Sequence, residues 1–277
     1  MKNTMDKIKK AIPKPVKEVI KRMHVLYNLR NRRLFKPYLK KKNVEGVAFD
    51  FWIGDRDGRD WYDIQCTDPE WAEMRFMKDH MIELGDVILE CGGHHGCTAI
   101  VLSAWVGDAG KVITFEPLPN NCDIIQMNIE QNMLKNVTLE RKAVGDKRGK
   151  ITISDASNSS VAMVGEGIEV EMICLDEYAN LNPTFLKIDV EGFEEQVLRG
   201  AMRILKKRPK FAIEIHTEQL SKYGSSVEDL FKLIDVSDYN LWIQWGDGKL
   251  PEEYDVKTPI QSRVHIFGIP RKKQAGT

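Results

Sequence analysis

Val87-Ile88-Leu89-Glu90-Cys91-Gly92-Gly93-His94-His95-Gly96-Cys97-Thr98 is the stretch whose reading decides the fold. Five mostly apolar residues run straight into a glycine-rich turn, and a helical pattern starts at once. Gly92 and Gly93 permit backbone angles and close approaches that a Cβ would block. Gly96 lets the new helix pack near the strand. Free amide groups at that helix start suit a polar or anionic ligand group. The next strand, 111–116, ends in Phe115-Glu116-Pro117. A strand–turn–helix–strand unit brings Glu116 over the same crevice, where its carboxylate can accept both hydroxyl protons of a ribose.

The rhythm continues outward from this unit. Helices are expected at 70–84, 97–106, 120–134, 191–205 and 227–236. Strands are expected at 137–144, 184–189, 210–216, 240–244 and 263–269, and 149–154 with 168–174 reads as an antiparallel insertion. Strand–helix alternation with short connections implies an α/β fold built on a mainly parallel, doubly wound sheet. The last two strands lack a helix between them and suit an antiparallel hairpin at the sheet edge. Trp52, Trp61, Tyr62 and Trp71 make an aromatic-rich entry segment that packs on the sheet or lines a pocket.

Composition excludes several classes. The 277 residues are 42% hydrophobic and 30% charged, an ordinary globular balance with no disordered or coiled-coil bias. No apolar run is long enough to span a membrane or to form a signal peptide. Five scattered cysteines (Cys66, Cys91, Cys97, Cys122, Cys174) read as reduced thiols in a cytoplasmic protein. The zero net charge hides an asymmetry: residues 1–42 hold 15 Lys and Arg against Asp6 and Glu18. This basic N-terminal extension (1–42) is separated here from a catalytic domain (43–277). Within it, Val16, Val19, Ile20, Met23, Leu26 and Tyr27 recur at helical spacing among basic residues, a pattern suited to peripheral contact with an anionic membrane. Nucleic acid is not the expected partner, because no N-P-P-Y motif is present.

Two cofactor classes fit the glycine unit. A nicotinamide dinucleotide is disfavoured by His94, which stands where G-x-G-x-x-G requires glycine. Glu90 suits a cofactor carrying an amine and a sulfonium. The second crevice wall comes from strand alternation: Lys187 and Asp189 share a face, as do Glu214 and His216 on the next strand. Asp189, Glu191, Glu214 and His216 therefore converge at neighbouring strand ends, where open α/β sheets bind ligands. His216, or Asp189 with it, is expected to take a proton from an acceptor hydroxyl. The alternatives are a divalent cation held by Asp189, Glu214 and His216, or a buried ion-pair network.

The chain resembles the FkbM family of class I S-adenosylmethionine-dependent methyltransferases. The family's D-x-G-A-x-x-G-x-T turn stands here as Glu90 to Thr98, with Glu90 for Asp and Gly93 for Ala. Its F-E-P-x-P-x-N element is Phe115 to Asn121, its L-D element Leu175-Asp176, and its K-I-D-V-E-G element Lys187 to Gly192. Val197-Leu198-Arg199-Gly200-Ala201 and Glu214-Ile215-His216 follow in family order. The resemblance implies a Rossmann-like methyltransferase fold and S-adenosylmethionine held by Glu90, Gly92, Gly93, Gly96, Thr98, Glu116 and Asn121; Asp146, just beyond the third strand, is expected to approach the adenine, the alternative being a turn residue. Catalysis by Asp189, Glu214 and His216 is the expectation from the crevice wall, and the resemblance implies O-methylation of a sugar or glycan-like acceptor. The alternatives are a nicotinamide-dependent oxidoreductase or an inactive docking module.

Overall fold

The computed structural model describes residues 34–65, 71–154 and 167–272. The helical pattern at 16–27 and Cys66 lie outside these residues. Strands β1 (Tyr38–Val44) and β2 (Val47–Ile53) form an antiparallel hairpin. The compositional boundary at 42/43 therefore falls inside β1, so Lys40, Lys41 and Lys42 belong to a strand and not to an arm. A helical turn (Arg56–Gly58), a π-helical segment (Arg59–Gln65) and helix α1 (Ala72–His80) follow. This α1 is shorter than the expected 70–84.

The central unit comes next. It comprises β3 (Val87–Cys91), α2 (Cys97–Val106), β4 (Lys111–Phe115), α3 (Pro119–Gln131) and β5 (Val137–Glu140). The expected strand 137–144 breaks after Glu140, because β6 (Ala143–Val144) leaves the main sheet. It joins β7 (Gly149–Ile153) and β8 (Ile168–Ile173) in a small separate sheet, the expected insertion. After a 3-10 segment (Leu175–Leu181) come β9 (Phe185–Ile188), α4 (Glu194–Arg199), α5 (Met202–Leu205), β10 (Lys210–Ile215), α6 (Thr217–Leu220) and α7 (Val227–Ile234). The expected helix 191–205 is two short ones, parted at Gly200 and Ala201. Gly200 there lies against backbone: a Cβ on it would lie 2.0 Å from the Gly145 carbonyl oxygen. Strands β11 (Tyr239–Gln244), β12 (Glu252–Glu253) and β13 (Val264–Pro270) close the chain.

The main sheet runs β12-β11-β13-β10-β9-β3-β4-β5. Strands β10, β9, β3, β4 and β5 are parallel, and β13 and β11 add antiparallel at one side. One face buries Leu89, Phe115, Leu186, Ile188, Phe211 and Ile213 under α4, α5 and α7. The other packs Ile88, Val112, Phe185 and Phe267 under α1, α2 and the hairpin. At the amino ends of the strands, buried Asp86 accepts from Thr184 Oγ1 (2.7 Å) and pairs with Lys210 Nζ (2.9 Å). The polar groups that matter for chemistry lie at the opposite, carboxyl ends.

No strand of the main sheet pairs with the hairpin. The outer edge of β2 meets α3 instead. Asn128 Oδ1 accepts from Trp52 N–H at 2.6 Å, and Asn132 bonds both the N–H and the carbonyl of Asp50 at 3.2 and 2.9 Å. Two amides four residues apart on a helix thus satisfy an edge that would otherwise leave backbone groups unpaired.

Candidate functional site

A cavity of about 1050 Å³ opens at the carboxyl ends of β3, β4, β9 and β10. Its two halves meet at the turn after β3. Gly92 has φ +93°, and a Cβ on it would lie 1.8 Å from the Asp189 carbonyl oxygen. Only glycine allows the turn to lie against the β9 end. Gly92, Gly93 and Thr98 line the cavity together with Glu116.

Glu116 is almost fully buried. It accepts from His94 N–H and Leu118 N–H, both at 2.9 Å, and from Asn121 Nδ2 at 3.4 Å. Burial pushes its carboxyl up to about 7, against the stabilising pull of these donors. A carboxylate offers about four acceptor positions, so capacity towards the cavity remains. His94 and His95 stack 4.2 Å apart, and burial lowers both, His95 to about 4. His94 Nδ1 shares a 2.7 Å hydrogen bond with Tyr62 O–H, which ties the π-helical segment to the turn.

Four expected cofactor residues are not cavity-lining ones. Gly96 is the left-handed cap of α2, and its missing Cβ makes room for Ile125. Asn121 acts through Glu116. Asp146 is exposed and stands apart from the lining. Glu90 has no exposed surface: it is sealed beneath the turn. Its position on β3 puts it on the same sheet face as Thr114 on β4 and Lys187 on β9, and depth, not direction, keeps it out of the lining.

The other half is floored by Asp189, Glu191 and Glu214 and roofed by Trp61, Trp71 and residues of the β1–β2 turn. Strand alternation places Asp189 and Glu214 on one face, as expected. Glu214 accepts from His265 Nε2 at 3.1 Å and pairs with Arg263 Nη1 at 3.1 Å. Against the cost of burial, these cations and His216 hold Glu214 well below the usual carboxylate range. Asp189 moves the other way, raised by burial and then by the Glu214 charge beside it.

His216 sits behind this floor, outside the lining, with Nδ1 bonded to the fully buried Glu194 at 2.9 Å. Its Nε2 faces Glu214 (3.4 Å), Glu191 (3.6 Å) and Asp189 (4.0 Å). Burial disfavours the cation, yet Glu194 and these three charges push the imidazole up to about 9. An imidazolium has no lone pair to take a proton, which counts against the expectation of a His216 base. The divalent-ion alternative meets a related difficulty. Asp189, Glu214 and His216 offer atoms within 4.8 Å of one another. Glu214, however, already holds two protein cations, and His216 carries its own proton near neutrality.

Lys187, Glu73, Arg263 and His265 also line this half and were not singled out as site residues. Lys187 was legible from the alternation that gave Asp189. His265 was not, because its place opposite Glu214 depends on β13 inserting between β10 and β11.

The chain is similar to an FkbM methyltransferase from Methylobacillus flagellatus at 16% identity, over 73% of this chain and 48% of that one, with a TM-score of 0.49. It thus spans about half the length of that protein. It is also similar to an S-adenosylmethionine-dependent O-methyltransferase from Thermotoga maritima (13% identity, 85% and 79% covered, TM-score 0.43). A third is Aeropyrum pernix fibrillarin with natively bound S-adenosylmethionine (14% identity, 68% and 67% covered, TM-score 0.42). A family model described as the methyltransferase FkbM domain matches residues 90–241. That match covers more than half of the sequence and contains the glycine turn, Glu116, Asp189, Glu214 and His216, and the chain belongs to the methyltransferase FkbM domain family.

Proposed function

We propose that this chain methylates a hydroxyl of a sugar or glycan-like acceptor, with Asp189 taking the hydroxyl proton. The donor class follows from membership of an S-adenosylmethionine-dependent methyltransferase family. The residues present fit that donor: Gly92 and Gly93 bring bare backbone to the cavity wall, and Glu116 keeps acceptor capacity for ribose hydroxyls. When bound, the donor supplies a methyl group on a sulfonium. Gly92, Gly93, Thr98 and Glu116 hold it, and Asp189 stands directly behind Gly92. Orientation contributes most of the acceleration in such an in-line transfer. The protein's chemical task is the proton. Asp189, like Glu116 and Glu191, is a cavity-lining carboxyl whose affinity for a proton is raised; its backbone abuts Gly92, and Glu214, held ionised, raises it further.

The observation that carries this reading is the position of Asp189: at the junction of the two halves, against the glycine turn, and raised by burial. Support for a sugar comes from the outer half, where Trp61 and Trp71 stand over a polar floor. The cavity also reaches the top of the roughly 300–1,000 Å³ range that buries one drug-sized ligand. The nicotinamide alternative is not supported by the family assignment. A screen of hydroxylated acceptors with methyl-labelled donor tests the proposal. Asp189→Asn is expected to lower turnover about 10²–10⁴-fold while donor affinity stays within about twofold. Donor binding without transfer to any acceptor would favour the inactive docking module, and full turnover by Asp189→Asn would remove it as the base.

A further inference from the structure

Glu90 poses a physical problem. Two carboxylate oxygens lie within the fold, with no exposed surface and no hydrogen-bonding neighbour beyond the Thr114 hydroxyl on β4. Such a group is costly unless a counter-charge sits beside it. Strand register supplies one: Glu90 on β3 stands directly opposite Lys187 on β9. Lys187 also reaches the acceptor half. It lines the cavity, and its Nζ lies 3.9 Å from Asp189 Oδ2.

We propose that Lys187 is a positioning residue, a single buried cation shared between Glu90 under the donor turn and Asp189 at the acceptor floor. The consequence rests on the reading of Asp189 as the proton acceptor. With one cation between two carboxylates, Asp189 can become neutral without stranding a buried charge, because Lys187 keeps Glu90 as its partner. The transferred proton moves from the acceptor oxygen to an Asp189 oxygen as the O–H bond breaks and the new O–H forms. Nothing else changes protonation. Burial alone would drive Lys187 towards its neutral form. Asp189, Glu90, Glu214 and Glu73 on α1 together hold it as a cation. The groups facing Asp189 are Lys187, Glu191, Glu214, His216, Arg263 and His265, so the loss of Lys187 removes one cation from a set still dominated by acids on the near side.

A double-mutant cycle on the full chain tests this without any acceptor. Lys187→Met leaves the charge of Glu90 buried and alone, so its denaturant midpoint should fall steeply. Glu90→Gln with Lys187→Met removes both charges and should unfold at a higher denaturant concentration than Lys187→Met alone. The second readout is 13C NMR of carboxyl-labelled aspartate, with the Asp189 signal identified by its loss in Asp189→Asn. The Asp189 midpoint should rise by about 1–3 pH units in the folded double variant and return in Lys187→Arg. Additive stability effects, or an Asp189 midpoint that ignores Lys187, overturn the shared counter-charge. A coupled cycle together with full turnover by Asp189→Asn would support the counter-charge and overturn only the base.

Discussion

On the proposed reading, Glu116 is expected to make donor binding pH-dependent. Its carboxyl is raised to about 7 by burial, while the ribose hydroxyls of the donor bond most strongly to its ionised form. Below that pH the protein must release a proton to bind. Affinity should therefore fall with acidification, reaching roughly tenfold weaker at pH 6 than at pH 8. His94 and His95 do not blur the window, because burial holds both neutral there. Glu116→Gln keeps the shape and one acceptor oxygen but removes the charge. Hydrogen bonds to a charged group are worth about 1.5–3 kcal/mol, so the donor should bind about 10- to 100-fold more weakly at pH 8, and the pH dependence should vanish. The sign for folding is opposite. A carboxyl raised from 4.5 to about 7 contributes stability that is lost as pH rises through 7, so donor-induced stabilisation should be greatest on the alkaline side. Calorimetric titration of S-adenosylmethionine at pH 6 and 8, in two buffers of different ionisation enthalpy, reads affinity and proton release together. A dissociation constant flat across that range, with no proton released and no effect of Glu116→Gln, would refute the reasoning.

Three further outcomes are expected. His216, raised from 6.5 to about 9, contributes stability that is present below about 6.5 and lost as pH rises through 9; urea unfolding of the wild type should lose about 3 kcal/mol over that window, and His216→Gln should lack the slope. Asn128→Ala strips partners from Trp52 N–H and the His95 carbonyl, and thermal unfolding should show a loss of about 2–4 kcal/mol; a loss under about 0.5 kcal/mol would mean water replaces the amide. The basic segment should bind anionic vesicles at low salt and release as salt rises, since each basic residue near such a surface contributes about 1 kcal/mol. Because β1 begins at Tyr38, the truncated comparison should start at Leu34, and equal sedimentation of both chains would count against a membrane role.

The strand–turn–helix–strand unit and its terminal Glu116 were legible because a short apolar run, three glycines and an acid at a strand end leave few other packings. Alternation along β9 and β10 correctly put Asp189 and Glu214 on one face. The failures have a common cause, which is depth. Period-2 reasoning says which side of a strand a residue takes, but not what covers that side. Glu90 therefore read as a cofactor contact although the structure seals it beneath the turn, and His216 read as a base although three carboxylates and Glu194 hold its proton. The need for glycine at position 200 was hidden because the backbone it lies against is at Gly145, 55 residues away.

The hairpin that roofs the outer half touches α3 through asparagine amides and contributes no strand to the main sheet. Its attachment to the scaffold that carries the donor turn is through packed side chains and helix amides, not through the sheet's hydrogen-bond ladder. Sequence drift in β1, β2 or the π-helical segment can reshape what the outer half admits while leaving the β3–β4 register untouched. On the proposed reading, donor binding and acceptor choice can then change separately within one chain. In native-state hydrogen exchange, the hairpin amides should open at lower free energy than those of β3 and β4.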